Sequence, residues 1–167
     1  MHFIICLIFV STFAFASEYT LSMGKANYTV KHLIKKVSGE TTELKGKMIC
    51  ENSLCKFLVA APVVSFVSSD SNRDLNMQTI MEASKFPLVS IKGEFQETDL
   101  NKKQFNVNGK VNLHGVEKTY TLNLTQDGVF QGKFVLLLED HKIERPSLLT
   151  VKIDNEVPID FVVGWKK

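Results

Sequence analysis

Histidine is the residue type of this 167-residue chain that is most often catalytic or metal-binding, and three of the four histidines lie outside the apolar first sixteen residues. His32, His114 and His141 are far apart, and none has the H-E-x-x-H spacing by which one helix presents two zinc ligands. The EDHKIE segment around His141 offers several oxygen and nitrogen atoms, but loops of this composition are usually solvated. A serine nucleophile on a G-x-S-x-G turn is also missing. We therefore expect no catalytic residue, no metal site and no cofactor.

Two arginines and one histidine remain as candidates for binding. His32 falls on the inward side of a predicted strand, where a neutral imidazole needs a partner or a ligand. Arg73 starts the predicted helical connection, and Arg145 ends the polar loop before Pro146. A cluster of such groups at the mouth of a barrel would bind an anionic or polar head group. The simpler alternative is local ion pairing, of Arg73 with Asp70 or Asp74 and of Arg145 with Glu144 or Glu139.

Two cysteines, Cys50 and Cys55, lie close together in the segment CENSLC. A zinc site would need further Cys or His at set spacing, and a thioredoxin-like site would have two residues between the cysteines. Here four residues separate them. We predict a structural disulfide across a hairpin, as is common in exported proteins.

The first sixteen residues, MHFIICLIFVSTFAFA, contain no Asp, Glu, Lys or Arg and end in an Ala-x-Ala motif. This pattern is typical of a secretory signal peptide, and we predict cleavage after Ala16. The run is shorter than the roughly 20 apolar residues of a membrane-spanning helix. We expect an exported protein with one domain over residues 17–167 and no membrane span after cleavage.

The charges are nearly balanced, with 20 basic and 18 acidic residues scattered along the chain. Such a distribution creates no strong positive field, which argues against nucleic acid as a partner. A homodimer is left open by the sequence.

Alternation of apolar and polar residues recurs along the chain and predicts β-strands. Turn residues such as His114-Gly115 and Gln126-Asp127-Gly128 separate several of them. Eight or nine strands with hairpin-length connections indicate an antiparallel barrel or a sandwich. An eight-stranded barrel is wide enough to hold one small ligand. The predicted strands span residues 26–34, 44–50, 55–63, 89–95, 105–113, 119–125, 132–138, 147–153 and 157–165.

One segment, SNRDLNMQTIMEASKFP at residues 71–87, does not alternate. Ser71 followed three residues later by Asp74 approximates a capping box, and Pro87 excludes continued helix. We predict a short helical segment around residues 72–83 that covers the barrel. Its apolar side is predicted to contain Leu75, Met77, Ile80 and Met81.

The order of these features resembles the YceI family of exported, lipocalin-like proteins. The matching segments are YTVKHL, SNRDLNMQTIMEASKFPLVSIKGEF, NVNGKVNLHGVEKTYTLNL and VKIDNEVPIDFVV. The second is the most specific, since it is similar to the family's Arg-Asp, short helix and aromatic-Pro run into a strand. One departure is that Arg145 is followed by Pro-Ser-Leu-Leu, where the family often has an acidic or polar residue, an aromatic and a glycine.

The resemblance implies an eight-stranded antiparallel, lipocalin-like barrel that is closed towards one end around an elongated apolar cavity. Family members are associated with non-catalytic binding of polyisoprenoids or other long-chain amphiphiles in the periplasm. By position, His32, Arg73 and Asp74 match residues typical of the family.

The resulting hypothesis is a protein that holds a long-chain isoprenoid or fatty amphiphile. His32, Arg73 or Arg145 would lie at the polar end of the ligand, and Ile80 and Met81 would face either the ligand or the core. The alternative is a filled barrel that acts through its surface as an interaction module of the cell envelope or of a stress response. The residues predicted to line the cavity are Phe57, Val59, Val89, Ile91, Val111, Leu113, Leu122 and Leu124.

Overall fold

The computed structural model of the protein describes residues 16–32, 35–148 and 151–167. The predicted signal peptide therefore lies almost wholly outside the described residues, as do residues 33–34 of the predicted strand at 26–34 and residues 149–150 of the predicted strand at 147–153. Three single-turn 3-10 segments, Val63–Ser65, Glu97–Asn101 and Glu139–His141, accompany the regular elements. Those elements are β1 (Ser17–His32), β2 (Lys35–Thr41), β3 (Lys45–Glu51), β4 (Leu54–Pro62), α1 (Ser71–Ile80), β5 (Leu88–Gln96), β6 (Gln104–Leu113), β7 (Val116–Asp127), β8 (Val129–Leu137), β9 (Ser147–Leu148), β10 (Val151–Lys152) and β11 (Glu156–Lys166).

Eight of the strands form a closed antiparallel barrel, which confirms the predicted fold. The order around the ring is β1, β3, β4, β5, β6, β7, β8 and β11, and β11 pairs with β1 to close it. Alternate residues of each strand face inward, as in any barrel. The predicted strand at 147–153 is not part of this ring, because β9 and β10 form a separate two-stranded sheet.

Strand β1 changes its pairing partner along one edge. Its first four residues pair with β3, whereas the residues from Ala26 onward pair with β2. Within the part of the chain that the structure describes, the outer edge of β2 pairs at a single bridge, between Glu40 and Val67. We call residues Val63–Ser69, which lead from the end of β4 to this bridge, the crossing segment.

The tight turns follow the sequence signals. Asn52 and Ser53 have positive φ angles in the β3–β4 turn, and Cys50 stands directly opposite Cys55 across that hairpin. The predicted disulfide is present, with both cysteines buried inside the barrel. Gly115 has a φ of 73° in the β6–β7 turn, a conformation that glycine adopts at little cost.

Helix α1 confirms the predicted short helix, but its start is different. Asp70, and not Ser71, is the N-cap, and its carboxylate accepts the N–H groups of Asn72 at 3.0 Å and Arg73 at 3.3 Å. Asp74 does not complete a capping box, because it is buried and accepts the N–H of Ser68 at 2.9 Å. These two carboxylates fix where the helix begins and how it meets the crossing segment.

The apolar side predicted for this helix forms only in part. The side chain of Leu75 is 60% exposed, so it faces neither the core nor a ligand. Ile80 and Met81, at the other end of α1, do pack against the barrel.

Apolar side chains fill the barrel in two layers. The disulfide-end layer contains Met48, Cys50, Cys55, Phe95, Phe105, Val107, Leu122 and Leu124. The helix-end layer contains Val111, Leu113, Leu136, Leu138, Ile143 and Val157. Each of the eight strands of the ring contributes residues to one or both layers or packs residues against them, and the cavity described below lies among them.

Candidate ligand-binding cavity

The barrel encloses a cavity of about 140 Å³. Strands β3 to β8, β1 and β11 supply its lining because their inward residues alternate along each strand. Seven of the eight residues that the sequence predicts as lining are among the 22 that line it. They are Phe57, Val59, Val89, Ile91, Val111, Leu122 and Leu124.

Three predicted apolar site residues lie elsewhere. Leu113 belongs to the helix-end layer, and Ile80 and Met81 pack against that layer from outside, so none of the three lines the cavity. They lie where α1 covers the end of the barrel. Their apolar character therefore reflects the packing of the helix onto the barrel.

Six aromatic side chains of the lining were not among the predicted site residues. Phe161 and Trp165 alternate with polar or small residues in β11, so a signal for them was present in the sequence. Phe66 had no such signal, since it belongs to the irregular crossing segment. The aromatic lining residues outside the prediction are Phe66, Phe95, Phe130, Phe134, Phe161 and Trp165.

The chemical character of the cavity is almost purely apolar. Ser90 supplies the one hydroxyl of the lining and Trp165 an indole N–H, and no described lining residue carries an ionisable group. A cavity of this kind recognises hydrocarbon through the hydrophobic effect. Its volume is similar to that of an engineered apolar cavity of about 150 Å³ that binds benzene. A longer chain fits only if side chains of the wall move.

The two predicted arginines are held outside the cavity by carboxylates, as the alternative of local ion pairing predicted. Arg73 Nε lies 3.2 Å from Asp70 Oδ2, and its Nη2 donates to Ser69 Oγ at 3.2 Å. Arg145 Nε lies 2.8 Å from Glu139 Oε1, and its Nη1 donates to the carbonyl of Ile153 at 3.1 Å. Neither arginine lines the cavity. The side chain of His32, the third predicted polar group, lies outside the described residues.

His141 is a buried structural residue, in contrast to the solvated loop that the sequence suggested. Its side chain is fully buried, and Nδ1 lies 3.0 Å from the carbonyl of Val116, to which it donates. Nε2 lies 2.9 Å from the hydroxyl of Tyr120, which donates to it. Burial lowers the pKa of His141 and raises the pKa of Tyr120. The neutral imidazole thus fastens the Glu139–His141 turn to the end of the barrel.

The structure also brings His114 next to His141, although they are distant in sequence. His114 Nδ1 lies 3.2 Å from the carbonyl of His141, and its ring meets Phe86 edge-on at 4.7 Å. No three His, Cys, Asp or Glu side chains among the described residues are grouped so as to hold a metal ion. The histidine pair links the β6–β7 turn to the segment after α1.

The fold and the cavity invite comparison with known families. The sequence matches the YceI-like domain over residues 17–164. The chain belongs to the YceI-like family. The resemblance seen in its sequence motifs is thereby confirmed across nearly the whole domain.

Solved YceI-like structures share the fold. A polyisoprenoid binding domain from Saccharophagus degradans, implicated in plant cell wall breakdown, superimposes with a TM-score of 0.69 at 13% identity, covering 89% of this chain and 97% of its own. Burkholderia cenocepacia BcnA gives a TM-score of 0.69 at 16% identity, covering 86% and 96%. The Campylobacter jejuni YCEI protein gives 0.63 at 16% identity, covering 82% and 90%. A search of curated proteins found no match.

None of the helices that the structure describes is long and apolar enough to cross a membrane.

Proposed function

We propose that this protein is an exported bacterial lipid-binding protein, which holds the chain of a polyisoprenoid or similar long amphiphile in the barrel cavity without catalysis. The observation that carries the proposal is the lining, in which Ser90 is the one hydroxyl-bearing residue among 22. The polyisoprenoid binding domain from Saccharophagus degradans supports the same ligand class by its shared fold.

The free energy of burial sets a minimum length for the hydrocarbon chain of the ligand. A chain that buries about ten methylenes gains about 8 kcal/mol, at roughly 0.8 kcal/mol each. Association itself costs about 4–15 kcal/mol. Tight binding therefore needs a chain of this length or more, and we infer that the cavity widens by side-chain rearrangement when it is occupied.

Export is supported by two features. The family match and strand β1 both begin at Ser17, so cleavage after Ala16 would leave the domain whole. The Cys50–Cys55 disulfide is of a kind that persists in oxidising compartments such as the periplasm.

The test is to purify the protein from the bacterial periplasm and to analyse it by native mass spectrometry and lipid extraction. We expect a bound amphiphile in the wild-type protein. Ala61→Phe fills the cavity from a buried lining position and should abolish binding. Leu58→Phe, on the exposed face of the same strand, is the matched control and should retain the lipid. Repeated absence of any amphiphile from the wild type would contradict the proposal and favour the filled-barrel interaction module.

A further inference from the structure

The extent of backbone pairing differs between the sides of the wall around the cavity. Strands β4 and β5 pair over nine residues, and the other strands of the ring also form ladders of several residues. The outer edge of β2, by contrast, is joined to the crossing segment by one bridge. This bridge consists of two backbone hydrogen bonds between Glu40 and Val67, each 2.9 Å long.

Side chains add a small number of further contacts to the crossing segment. The hydroxyls of Thr41 and Ser65 lie 2.7 Å apart, and that of Ser65 donates to the carbonyl of Pro62 at 2.7 Å. At the far end, the N–H of Ser68 donates to the buried carboxylate of Asp74. The segment is therefore held at Val63, whose N–H donates to the carbonyl of Pro87 at 2.9 Å, at Ser65 and Val67 through β2, and at Ser68 through Asp74.

This thin part of the wall directly borders the cavity. Phe66 lines the cavity from the crossing segment, and its ring centroid is 6.1 Å from that of Tyr28. On either side of Phe66 in sequence, Val64 and Val67 are 54% and 53% exposed. Within this short segment, a side chain that lines the cavity thus lies between two exposed ones.

The described residues at both ends of the barrel are held by further packing and hydrogen bonds. Rings of Phe95, Phe105 and Phe130 pack against one another at the disulfide end. At the other end, α1 and the hydrogen-bonded His141 cover the helix-end layer. Local opening selects segments with few backbone hydrogen bonds to their neighbours, and beyond the buried Val63 the crossing segment is joined to β2 by one backbone bridge.

We propose that the ligand enters and leaves through the side of the barrel, between β2 and β4, when the crossing segment moves aside. Phe66 is then the first cavity residue that the apolar end of the ligand contacts. This inference rests on the proposed function, since it concerns the path to the same cavity.

An engineered cross-link tests the route. In Thr41→Cys/Ser65→Cys, the two sulfurs replace hydroxyls that lie 2.7 Å apart, so oxidation should tie the crossing segment to β2. Thr29→Cys/Ser38→Cys is the matched control, because its hydroxyls are 3.0 Å apart on the exposed face of the β1–β2 hairpin. The single-cysteine variants control for the substitutions themselves.

The measurement is stopped-flow binding and release of the neutral fluorophore N-phenyl-1-naphthylamine. The oxidised Thr41→Cys/Ser65→Cys protein should bind and release the probe more slowly by about tenfold or more, because local opening is blocked. The affinity should be nearly unchanged, since both rates fall together. The oxidised control pair and the single variants should keep wild-type rates, and mild reduction should restore fast exchange.

Unchanged rates in the oxidised Thr41→Cys/Ser65→Cys protein would overturn the lateral route while leaving the proposed function intact. A wild-type protein that neither binds the probe nor carries lipid would overturn the proposed function and the route together.

Phe66→Ala is an independent test of the route if the double variant does not fold. It removes the ring between the cavity and the wall, so probe exchange should become faster, and unchanged exchange would contradict the inference.

Discussion

The two ends of this barrel are closed by different physical means. The disulfide end is closed by packing, with Phe95 and Phe105 at 5.4 Å between ring centroids beside the buried Cys50–Cys55 bridge. The helix end is closed by α1 and by polar contacts at His141 and Asp74. Close-packed rings resist opening as a unit, whereas individual hydrogen bonds break one at a time. The disulfide end is therefore expected to stay closed, whereas the helix end and the adjoining wall can open locally.

The largest expected difference between the ends is in the cost of truncating an apolar side chain. Phe105→Ala at the disulfide end should reduce the free energy of unfolding by about 3–5 kcal/mol, because it leaves a cavity in a packed layer. Leu75→Ala on the exposed face of α1 should change it by less than about 0.5 kcal/mol. Urea unfolding of both variants measures the contrast between the disulfide-end layer and the exposed face of α1, and similar losses would show that Phe105 does not pack as this layer requires.

The second prediction concerns the disulfide. Cys50→Ala/Cys55→Ala should cost about 2 kcal/mol, because the closed loop is short and little chain entropy is removed from the unfolded state. We compare the denaturant midpoints of this variant, the oxidised wild type and the reduced wild type. This comparison separates the effect of the cross-link on stability from the effect of the lost sulfur volume. If reduced and oxidised wild type unfold at the same midpoint, the bridge does not stabilise this end.

The third prediction is a pH dependence confined to the helix end. Burial lowers the pKa of His141 below its ordinary value of 6.5, so the unfolded chain binds its proton more readily than the folded one. The stability that the neutral imidazole contributes is complete above pH 6.5 and is lost as the pH falls towards the folded pKa. The slope is at most about 1.4 kcal/mol per pH unit, the value for one proton.

Urea unfolding at pH 7.5 and pH 5.5 checks this dependence. His141→Gln should be less stable than the wild type at pH 7.5 and should lose less stability on acidification. An equally steep loss in His141→Gln would assign the pH dependence to other groups.

The smallest effect is expected at the Arg145–Glu139 ion pair. Glu139 is 59% exposed at its side chain, and such pairs contribute about 0.2–1 kcal/mol, less at high salt. Glu139→Gln should therefore lower the unfolding free energy only slightly, as thermal denaturation at two salt concentrations would show. Arg145→Gln should leave the affinity for N-phenyl-1-naphthylamine unchanged. A large loss of affinity would instead support a role for Arg145 at the polar end of the ligand.

Features set by near neighbours in the chain could be predicted from the sequence. Strand β6 was predicted at 105–113 and spans Gln104–Leu113, because its apolar residues alternate without interruption. The disulfide followed from the spacing in CENSLC, because a two-residue turn places Cys50 opposite Cys55. Seven lining residues followed from the same alternation once a barrel was assumed.

Two strand segments were missed for identifiable reasons. Strand β2 has the sequence KKVSGET, with Val37 as its one large apolar residue, so alternation gives no signal. In β1, the register shifts between Leu21 and Met23, which moves the inward residues from odd to even numbers. Tyr19 and Tyr28 therefore both pack towards the core although their numbers differ in parity.

The sequence by itself thus determined the strand pattern, the main hairpin turns, the disulfide and most of the cavity lining, since each depends on local spacing. Only the tertiary structure decided which carboxylate each arginine meets, that His141 is buried, and that Phe66 closes a thin wall beside the cavity. These features depend on contacts between segments far apart in the chain, such as Glu40 with Val67 and His141 with Tyr120. Local periodicity carries no information about which distant segments meet.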